Sequence, residues 1–294
     1  MHAPLSRAGL LWLAVVVCAW GLTWPISKLI LASVPPLWTV ALRSAIGCVA
    51  MFAIGLAARR LAWPPRADVP VLLGIALLHM VGFGLLASVG LQLVPTGRSV
   101  VLAYTTPLWV APGASLFLGE RLTARRALGV VIGLLGLLAL FNPLAFDWTA
   151  HAAVLGNLAI LAAALLWAAS ILQIRGHAWR TAPLDVLPWS LALATLVTSL
   201  VALAVEGIPH VEWSGRLIAL LLYAGVPGTA VAYWATAMAS RALPAVTTSL
   251  GLLATPVVSV VLATLWLGEP LTLSLLTAIV LILGGVALGA TGER

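Results

Sequence analysis

Side chains that could bind a small molecule occur within long apolar stretches of this chain. Trp20, Trp24 and Ser27 are spaced by four and three residues, which places them on one face of a helix. Thr23 lies beside them. A buried tryptophan needs a partner for its ring N–H, so the two tryptophans either contact a ligand or lie at a membrane interface. The polar group and the rings together fit a small amphipathic ligand.

His79 is the only histidine within an apolar run of the sequence. An ionisable side chain at such a position is energetically expensive, and it indicates a functional site. His79 would contact a ligand or carry a proton, or it would be a neutral histidine bonded to a neighbouring helix. Five further polar or aromatic residues in apolar runs are candidates of the same kind: Phe83, Tyr104, Trp167, Ser170 and Tyr233.

The composition decides which elements position these residues. Of the 294 residues, 63% are hydrophobic and 8% are charged, whereas soluble domains carry about 25% charged residues. The excess apolar surface must therefore face lipid. The apolar runs lack the alternation of membrane β-strands, so we expect helices. The predicted spans are 9–32, 37–58, 69–94, 97–118, 124–142, 153–174, 184–205, 215–240, 244–267 and 271–290.

The net charge of +7 suggests a nucleic-acid surface, but the distribution of the basic residues excludes it, because they flank the apolar spans rather than forming one patch. With ten spans and a cytoplasmic N-terminus, most of the basic residues lie in cytoplasmic segments, as membrane insertion favours. Both termini are then cytoplasmic. The residues on that side are Arg7, Arg59, Arg60, Arg66, Arg121, Arg125, Arg126, Arg175, Arg180, Arg241 and Arg294.

A repeated six-residue segment divides the chain into two halves. LGERLT at 118–123 recurs as LGEPLT at 267–272, and at the same offset of 149 residues Thr106-Pro107 matches Thr255-Pro256. We predict two repeats of five helices, 1–146 and 147–294. Because five is odd, the second repeat must enter the membrane from the opposite side, which gives the inverted repeat that recurs in transporters.

The repeated segment itself predicts a corner between helices. Gly119 and Gly268 can adopt the left-handed conformation that ends a helix, and the following threonines can cap the next one. The functional alternative is a gate, in which Glu120 or Glu269 pairs with a nearby arginine. Pro107 and Pro256 lie within spans at matched positions, where each frees a carbonyl and bends the helix. They either line a cavity or serve packing alone.

Three basic residues and two glycine pairs admit structural explanations. Lys28, Arg43 and Arg98 lie near the outer ends of spans, where each side chain reaches the interface or meets a ligand carboxylate. Gly129 and Gly133 in span five, and Gly285 and Gly289 in span ten, favour close helix packing. Spans five and ten are therefore expected to be scaffold. The two cysteines cannot form a zinc site alone, and the sequence has no nucleotide-binding GxxxxGK[ST] motif, so no metal or cofactor is expected.

Taken together, the LGExLT corners, the prolines before them, the opening WGLTW at 20–24 and the two five-span halves resemble the drug/metabolite transporter superfamily. The nearest resemblance is to its ten-helix EamA-type exporters, in particular those of amino acids, including aromatic ones. The resemblance implies a central cavity lined by spans 1, 3, 4, 6, 8 and 9. It also implies a small-molecule substrate and a location in the bacterial inner membrane.

The expected function is therefore export of neutral or aromatic amino acids by alternating access. The apolar spans hold no mid-span Asp or Glu, which favours facilitated diffusion, or weak proton coupling through His79. The alternatives are a broad-specificity drug efflux carrier, a membrane enzyme and a scaffold that transports nothing. We expect no enzymatic activity, because the loop histidines form no cluster. The sequence leaves the oligomeric state open.

Overall fold

The structure is a computed structural model that describes residues 6–120, 122–141, 149–243, 248 and 251–290. Within these ranges the regular secondary structure is entirely helical. Seven helices are long and apolar enough to cross a membrane, by length and composition: Arg7–Ile30, Pro36–Ala57, Val69–Leu93, Thr96–Phe117, His151–Gly176, Asp185–Glu206 and Gly215–Ala239. Ala254–Leu267 and Leu273–Gly289 are shorter apolar helices. An all-helical membrane protein is thus confirmed, while the count of ten crossings and the side of the termini stay predictions.

We number the helices in chain order. They are α1 (Arg7–Ile30), α2 (Pro36–Ala57), α3 (Val69–Leu93), α4 (Thr96–Phe117), α5 (Ala124–Phe141), α6 (His151–Gly176), α7 (Pro183–Glu206), α8 (Gly215–Gly225, Val226–Val231 and Ala232–Ala242), α9 (Ala254–Leu267) and α10 (Leu273–Ala290). These bounds agree with the predicted spans to within a few residues, except that part of span nine is outside the described residues. Arg121, Arg294 and the boundary between 146 and 147 also lie outside them.

Helix α4 is interrupted, whereas the sequence predicts only a bend at Pro107. It consists of Thr96–Ala103 and Thr106–Phe117, with a turn at Tyr104 and Thr105. Pro107 cannot donate to the carbonyl of Ala103, and the hydroxyl of Thr106 donates to that carbonyl instead at 2.8 Å. This hydrogen bond satisfies a backbone group that lipid could not satisfy. A threonine next to the proline therefore makes the break tolerable.

The second half contains matching irregularities. A turn at Leu253 precedes α9, and Leu253 corresponds to Tyr104 at the 149-residue offset. In addition, α3 contains a π-helical stretch, Ile75–Phe83, and α8 contains another, Val226–Val231. The second stretch lies within the segment that the same offset assigns to the first. Each half thus has a π-helical stretch and a break at corresponding positions.

Helices α5 and α10 pack through glycine. A Cβ atom added to Gly285 would meet the carbonyl oxygen of Gly129 and would lie 2.8 Å from the backbone nitrogen of Gly133. A Cβ on Gly129 would lie 3.0 Å from the nitrogen of Gly289. The predicted close approach of these two helices is confirmed, because backbone fills the space that a side chain would need.

The opposite face of α5 is lined by exposed leucine and valine. Leu128, Val131, Leu135 and Leu138 recur with a helical period, and each is more than half exposed. Such a continuous apolar stripe would be unstable in water and fits a lipid-facing surface. The pair α5 and α10 therefore has a lipid-facing side at the edge of the bundle, although residues of both helices also line a cavity, which the expectation of scaffold did not include.

Replacing Gly285 by valine should destabilise the protein, because the side chain would collide with the backbone of α5. Overpacking of this kind costs about 1–3 kcal/mol. The adjacent Gly284 is a matched control, since a Cβ there meets no atom within 4 Å. The measurement is the apparent melting temperature of both variants in detergent. Equal melting temperatures for Gly285→Val and Gly284→Val would contradict the packing described.

Candidate functional site

A central cavity of about 110 Å³ lies where α1, α2, α3, α4, α6, α7 and α8 meet. Nine of the twelve cavity residues predicted from the sequence line it: Trp20, Thr23, Trp24, Ser27, His79, Phe83, Tyr104, Trp167 and Tyr233. Residues from both halves of the chain thus form one site. No aspartate or glutamate lines this cavity in the part of the chain that the structure describes.

Aromatic rings surround His79. Its imidazole stacks on Trp167 with a centroid separation of 5.2 Å and an interplanar angle of 14°. Tyr233 and Phe83 approach the imidazole edge-on, each at 5.8 Å. Trp24 meets Phe83 edge-on at 6.5 Å. The walls are therefore the faces and edges of rings, which bind flat apolar groups.

The irregular backbone positions several of these rings. His79 and Phe83 lie in the π-helical stretch of α3, and Tyr233 follows the π-helical stretch of α8. Tyr104 lies at the break in α4. Extra residues in a helical turn change the direction in which side chains point, and π-helical turns are frequent at functional sites. The helix irregularities in this protein thus lie at the cavity wall.

A buried carboxylate fixes the start of α3. The Oδ1 atom of Asp68 accepts from the ring Nε2 of His177 at 2.8 Å and from the Arg180 amide at 3.1 Å. Oδ2 accepts from the Thr181 amide at 3.0 Å. Burial of the Asp68 carboxylate opposes ionisation, but these hydrogen bonds outweigh it and hold the pKa of Asp68 below its ordinary value. The segment after α6 is thereby connected to the start of α3. Helix α6 carries Trp167, and α3 carries His79.

A second cavity of about 590 Å³ adjoins the central one. It is lined by residues of α4, α5, α6 and α10, including Pro107, and by Leu252 and Leu253 just before α9. Tyr104 and Trp167 line both cavities, and their ring centroids are 5.9 Å apart. These two rings therefore separate the two spaces. The central cavity alone is smaller than the roughly 300–1,000 Å³ usual for ligand pockets, whereas the second lies within that range.

Glu120 lies at the far end of the second cavity. Its carboxylate accepts from Arg175 at 2.6 Å and from Arg126 at 3.3 Å. Gly119, beside it, has a φ of 67°, in the left-handed region. The corner after α4 therefore contains a helix-ending glycine and also an ion pair that joins it to α5 and α6.

Glu269 lies at the opposite end of α4 and has different partners. Its Oε1 atom accepts from the Thr96 amide at 2.7 Å, and Oε2 accepts from the Gly97 amide at 2.8 Å. Gly268 has a φ of 68°. A carboxylate on the free amides at a helix start is favourable, because it satisfies donors that have no partner within the helix. Since Glu120 follows the other end of α4, the two corners lie at opposite ends of the bundle.

Some predicted residues lie elsewhere, and some lining residues were missed. Ser170 and Pro256 are buried but line neither cavity, and Pro107 lines the second cavity only. Several lining residues were not predicted for the site, and the hydroxyl-bearing ones among them are Thr39, Ser44, Ser88 and Thr229. Isolated hydroxyls in apolar helices give no periodic signal, so only the helix packing identifies them.

Broken helices from two similar halves meet at an aromatic cavity, and a larger cavity leads from it to one end of an apolar bundle. This arrangement defines a membrane transporter. The chain belongs to the EamA-like transporter family, whose family model matches residues 7–142 and again 154–291. The family expected from the sequence is thus confirmed.

Individual relatives agree with this assignment. The uncharacterized transporter YvbV of Bacillus subtilis is 28% identical over 293 residues, covering 99% of this chain and 94% of that protein. A "probable amino-acid metabolite efflux pump" of Salmonella typhimurium is 32% identical, covering 95% of this chain and 94% of that protein. A solved crystal structure shares the fold with a TM-score of 0.70 at 24% identity, over 98% of this chain and 99% of that one.

Replacing Asp68 by asparagine should lower the apparent melting temperature, because asparagine offers only one oxygen to these donors. The folded pKa of Asp68 lies below its unfolded value of about 3.9. The ionised Asp68 carboxylate therefore stabilises the folded protein above that pH, and this stabilisation is lost as the pH falls through the folded pKa. The difference in melting temperature between wild type and variant should shrink below about pH 4. Glu212→Gln, at an exposed loop position, is the control, and a difference that widens on acidification would contradict the assignment.

Proposed function

We propose that this transporter exports small metabolites, most specifically neutral and aromatic amino acids, through the central cavity. The observation that carries the proposal is the group of aromatic rings around His79. The aromatic walls of the central cavity fit a flat apolar side chain, and the hydroxyl groups in its lining fit the polar end of the same molecule. The efflux-pump relative supports a metabolite of this class, since its printed name concerns amino-acid metabolites.

The proposed mechanism is alternating access between two inverted halves, 1–146 and 147–294, with ten membrane helices. Three observations support it. The family model matches the chain twice, the π-helical stretches and breaks recur at one offset, and the two corners lie at opposite ends of α4. Two similar halves can pack in two related ways, and these would open the central cavity to opposite sides.

Basic residues support a cytoplasmic position for the end that carries Glu120. Arg126 and Arg175 lie at this end, together with Arg60, which pairs with Asp185 at 2.9 Å. The second cavity then opens toward the cytoplasm of a bacterial inner membrane, and both termini are cytoplasmic. The contact between Glu269 and the start of α4 closes the outer end. In this proposal both glutamates act as gates as well as corner residues.

The proposed energy source is the substrate gradient. The described lining of the central cavity contains no carboxylate that could carry a proton. His79 is the remaining candidate for coupling. Its ring contacts on several sides favour a role in holding the substrate. Facilitated diffusion out of the cell follows from these observations.

Flux through purified protein in liposomes tests the proposal. Labelled L-tryptophan and L-phenylalanine should move down their gradients, at rates that an imposed pH gradient does not change. A rate set by the pH gradient would replace facilitated diffusion with proton coupling. Flux of unrelated drugs at comparable rates would favour broad efflux. If neither amino acids nor drugs move, the protein would have to be a scaffold or an enzyme instead.

His79→Ala and Trp24→Ala should each reduce amino-acid flux by about two- to tenfold, the range that the loss of an aromatic contact gives. Trp213→Ala is the matched control, because Trp213 is 59% exposed outside the helices. Protein yield and melting temperature are measured alongside flux. Amino-acid flux at the wild-type rate in both cavity variants would contradict the proposed site.

A further inference from the structure

A cationic side chain faces the central cavity from α2. Arg43 is one of the lining residues, and its Nη2 atom lies 3.9 Å from the position that a Cβ on Gly84 would occupy. His79 and Tyr233 lie within electrostatic range of the guanidinium. Arg43 is the eighth residue of α2, so it lies about 10 Å from the helix start, at 1.5 Å per residue. It is therefore within the bundle and next to the aromatic rings.

Lys28 and Arg98, which the sequence groups with Arg43, bind other groups within the protein. The ammonium group of Lys28 donates to the carbonyls of Leu91 and Val94, the latter at 3.0 Å, and so caps the end of α3. Arg98 donates from Nε to the side-chain oxygen of Asn157 at 2.7 Å. Neither of them lines the central cavity. Among these three, only Arg43 presents its charge to the site.

The described acidic side chains do not neutralise Arg43. Glu120 pairs with Arg126 and Arg175, Asp185 pairs with Arg60, and Asp68 binds His177. Glu206 and Glu269 accept from backbone amides at the starts of α2 and α4. Glu212 lies in an exposed loop. Within the described part of the chain, the guanidinium in the cavity thus has no carboxylate partner.

An arginine stays charged in proteins, and a charge within a membrane bundle is costly without a counter-ion. An anionic group entering the cavity would offset that cost. Guanidinium binds carboxylate through two parallel hydrogen bonds, which also fixes the orientation of the ligand. The rings of His79 and Tyr233 then lie beside the anion, and Trp167 stacks on His79.

We propose that Arg43 is the anchor for a substrate carboxylate and that it selects small carboxylates with an apolar or aromatic side chain. This inference rests on the proposed transport function and narrows it. The carboxylate binds Arg43, and the side chain occupies the space between the rings. Neutral molecules of the same shape and the corresponding amines lack the group that Arg43 holds.

Ligand binding tests this without requiring transport. The probes are 3-phenylpropionate, 3-phenylpropanol and 3-phenylpropylamine, which share one hydrocarbon skeleton. The measurement is the rise in apparent melting temperature of detergent-purified protein as each probe is added in the same chloride buffer. The variants are Arg43→Gln and Arg43→Lys. The control is Arg216→Gln, which removes a positive charge at an exposed position.

Wild type and Arg216→Gln should be stabilised by 3-phenylpropionate and not by the other two probes. Arg43→Gln should raise the half-saturating concentration about tenfold or more, the loss expected for hydrogen bonds to a charged group. The half-saturating concentration for Arg43→Lys should lie between those of wild type and Arg43→Gln, because lysine keeps the charge without the two parallel hydrogen bonds. Equal stabilisation of wild type by the carboxylate and the alcohol would overturn the proposal, even if neither Arg43 variant folds.

Flux in liposomes separates this proposal from the transport function. If L-phenylalanine moves at the same rate and half-saturation in wild type and Arg43→Gln, the anchor is wrong while the transport function stands. If wild type moves no amino acid but binds 3-phenylpropionate through Arg43, amino-acid export is wrong while the carboxylate site stands. Wild type that binds none of the probes would also overturn the site.

Discussion

The structure depends on one constraint, that backbone groups in hydrocarbon must find hydrogen-bond partners within the protein. An interrupted helix is tolerated only where protein or a polar cavity supplies those partners. The break in α4 meets this requirement through Thr106, whose hydroxyl donates to the carbonyl that Pro107 leaves free. The π-helical stretch of α3 carries three residues that line the central cavity, and that of α8 carries two and is followed by Tyr233. The irregular backbone is thus concentrated around the central cavity, while α5 and α10 remain regular.

The two corners show how similar sequences come to have different partners. Glu269 binds two amides at the start of α4, and Glu120 binds two arginines at the other end. The first contact joins the two halves directly at a helix start. The second lies beside the larger cavity.

The helices and the aromatic residues were predictable from the sequence because each rests on a local pattern. Long apolar runs locate the helices, and spacings of three and four place Trp20, Trp24 and Ser27 on one face. The 149-residue offset predicted matching prolines. It did not predict the π-helical stretches, because the hydrogen-bond register within an apolar helix is decided by packing rather than by hydropathy.

The details of the site depend on contacts between helices that are distant in sequence. Lys28 and Arg43 look equivalent in the sequence, yet one caps α3 and the other faces the cavity. Trp167 and Ser170 are three residues apart on α6, but only Trp167 lines the cavity. The second cavity was not predicted as a separate space, because only the tertiary packing brings its lining residues together. Local periodicity therefore predicts the candidates, and the tertiary packing selects among them.

The central claim is that the halves enter the membrane from opposite sides, and labelling of matched corner residues tests it most directly. Leu122 and Leu271 occupy equivalent, exposed positions in the two corners. Each is replaced by cysteine in a chain whose Cys18 and Cys48 are alanine, and intact cells are treated with a membrane-impermeant maleimide. The cysteine at 271 should be labelled in intact cells, and the cysteine at 122 only after permeabilisation. Labelling of both from the same side would contradict the account.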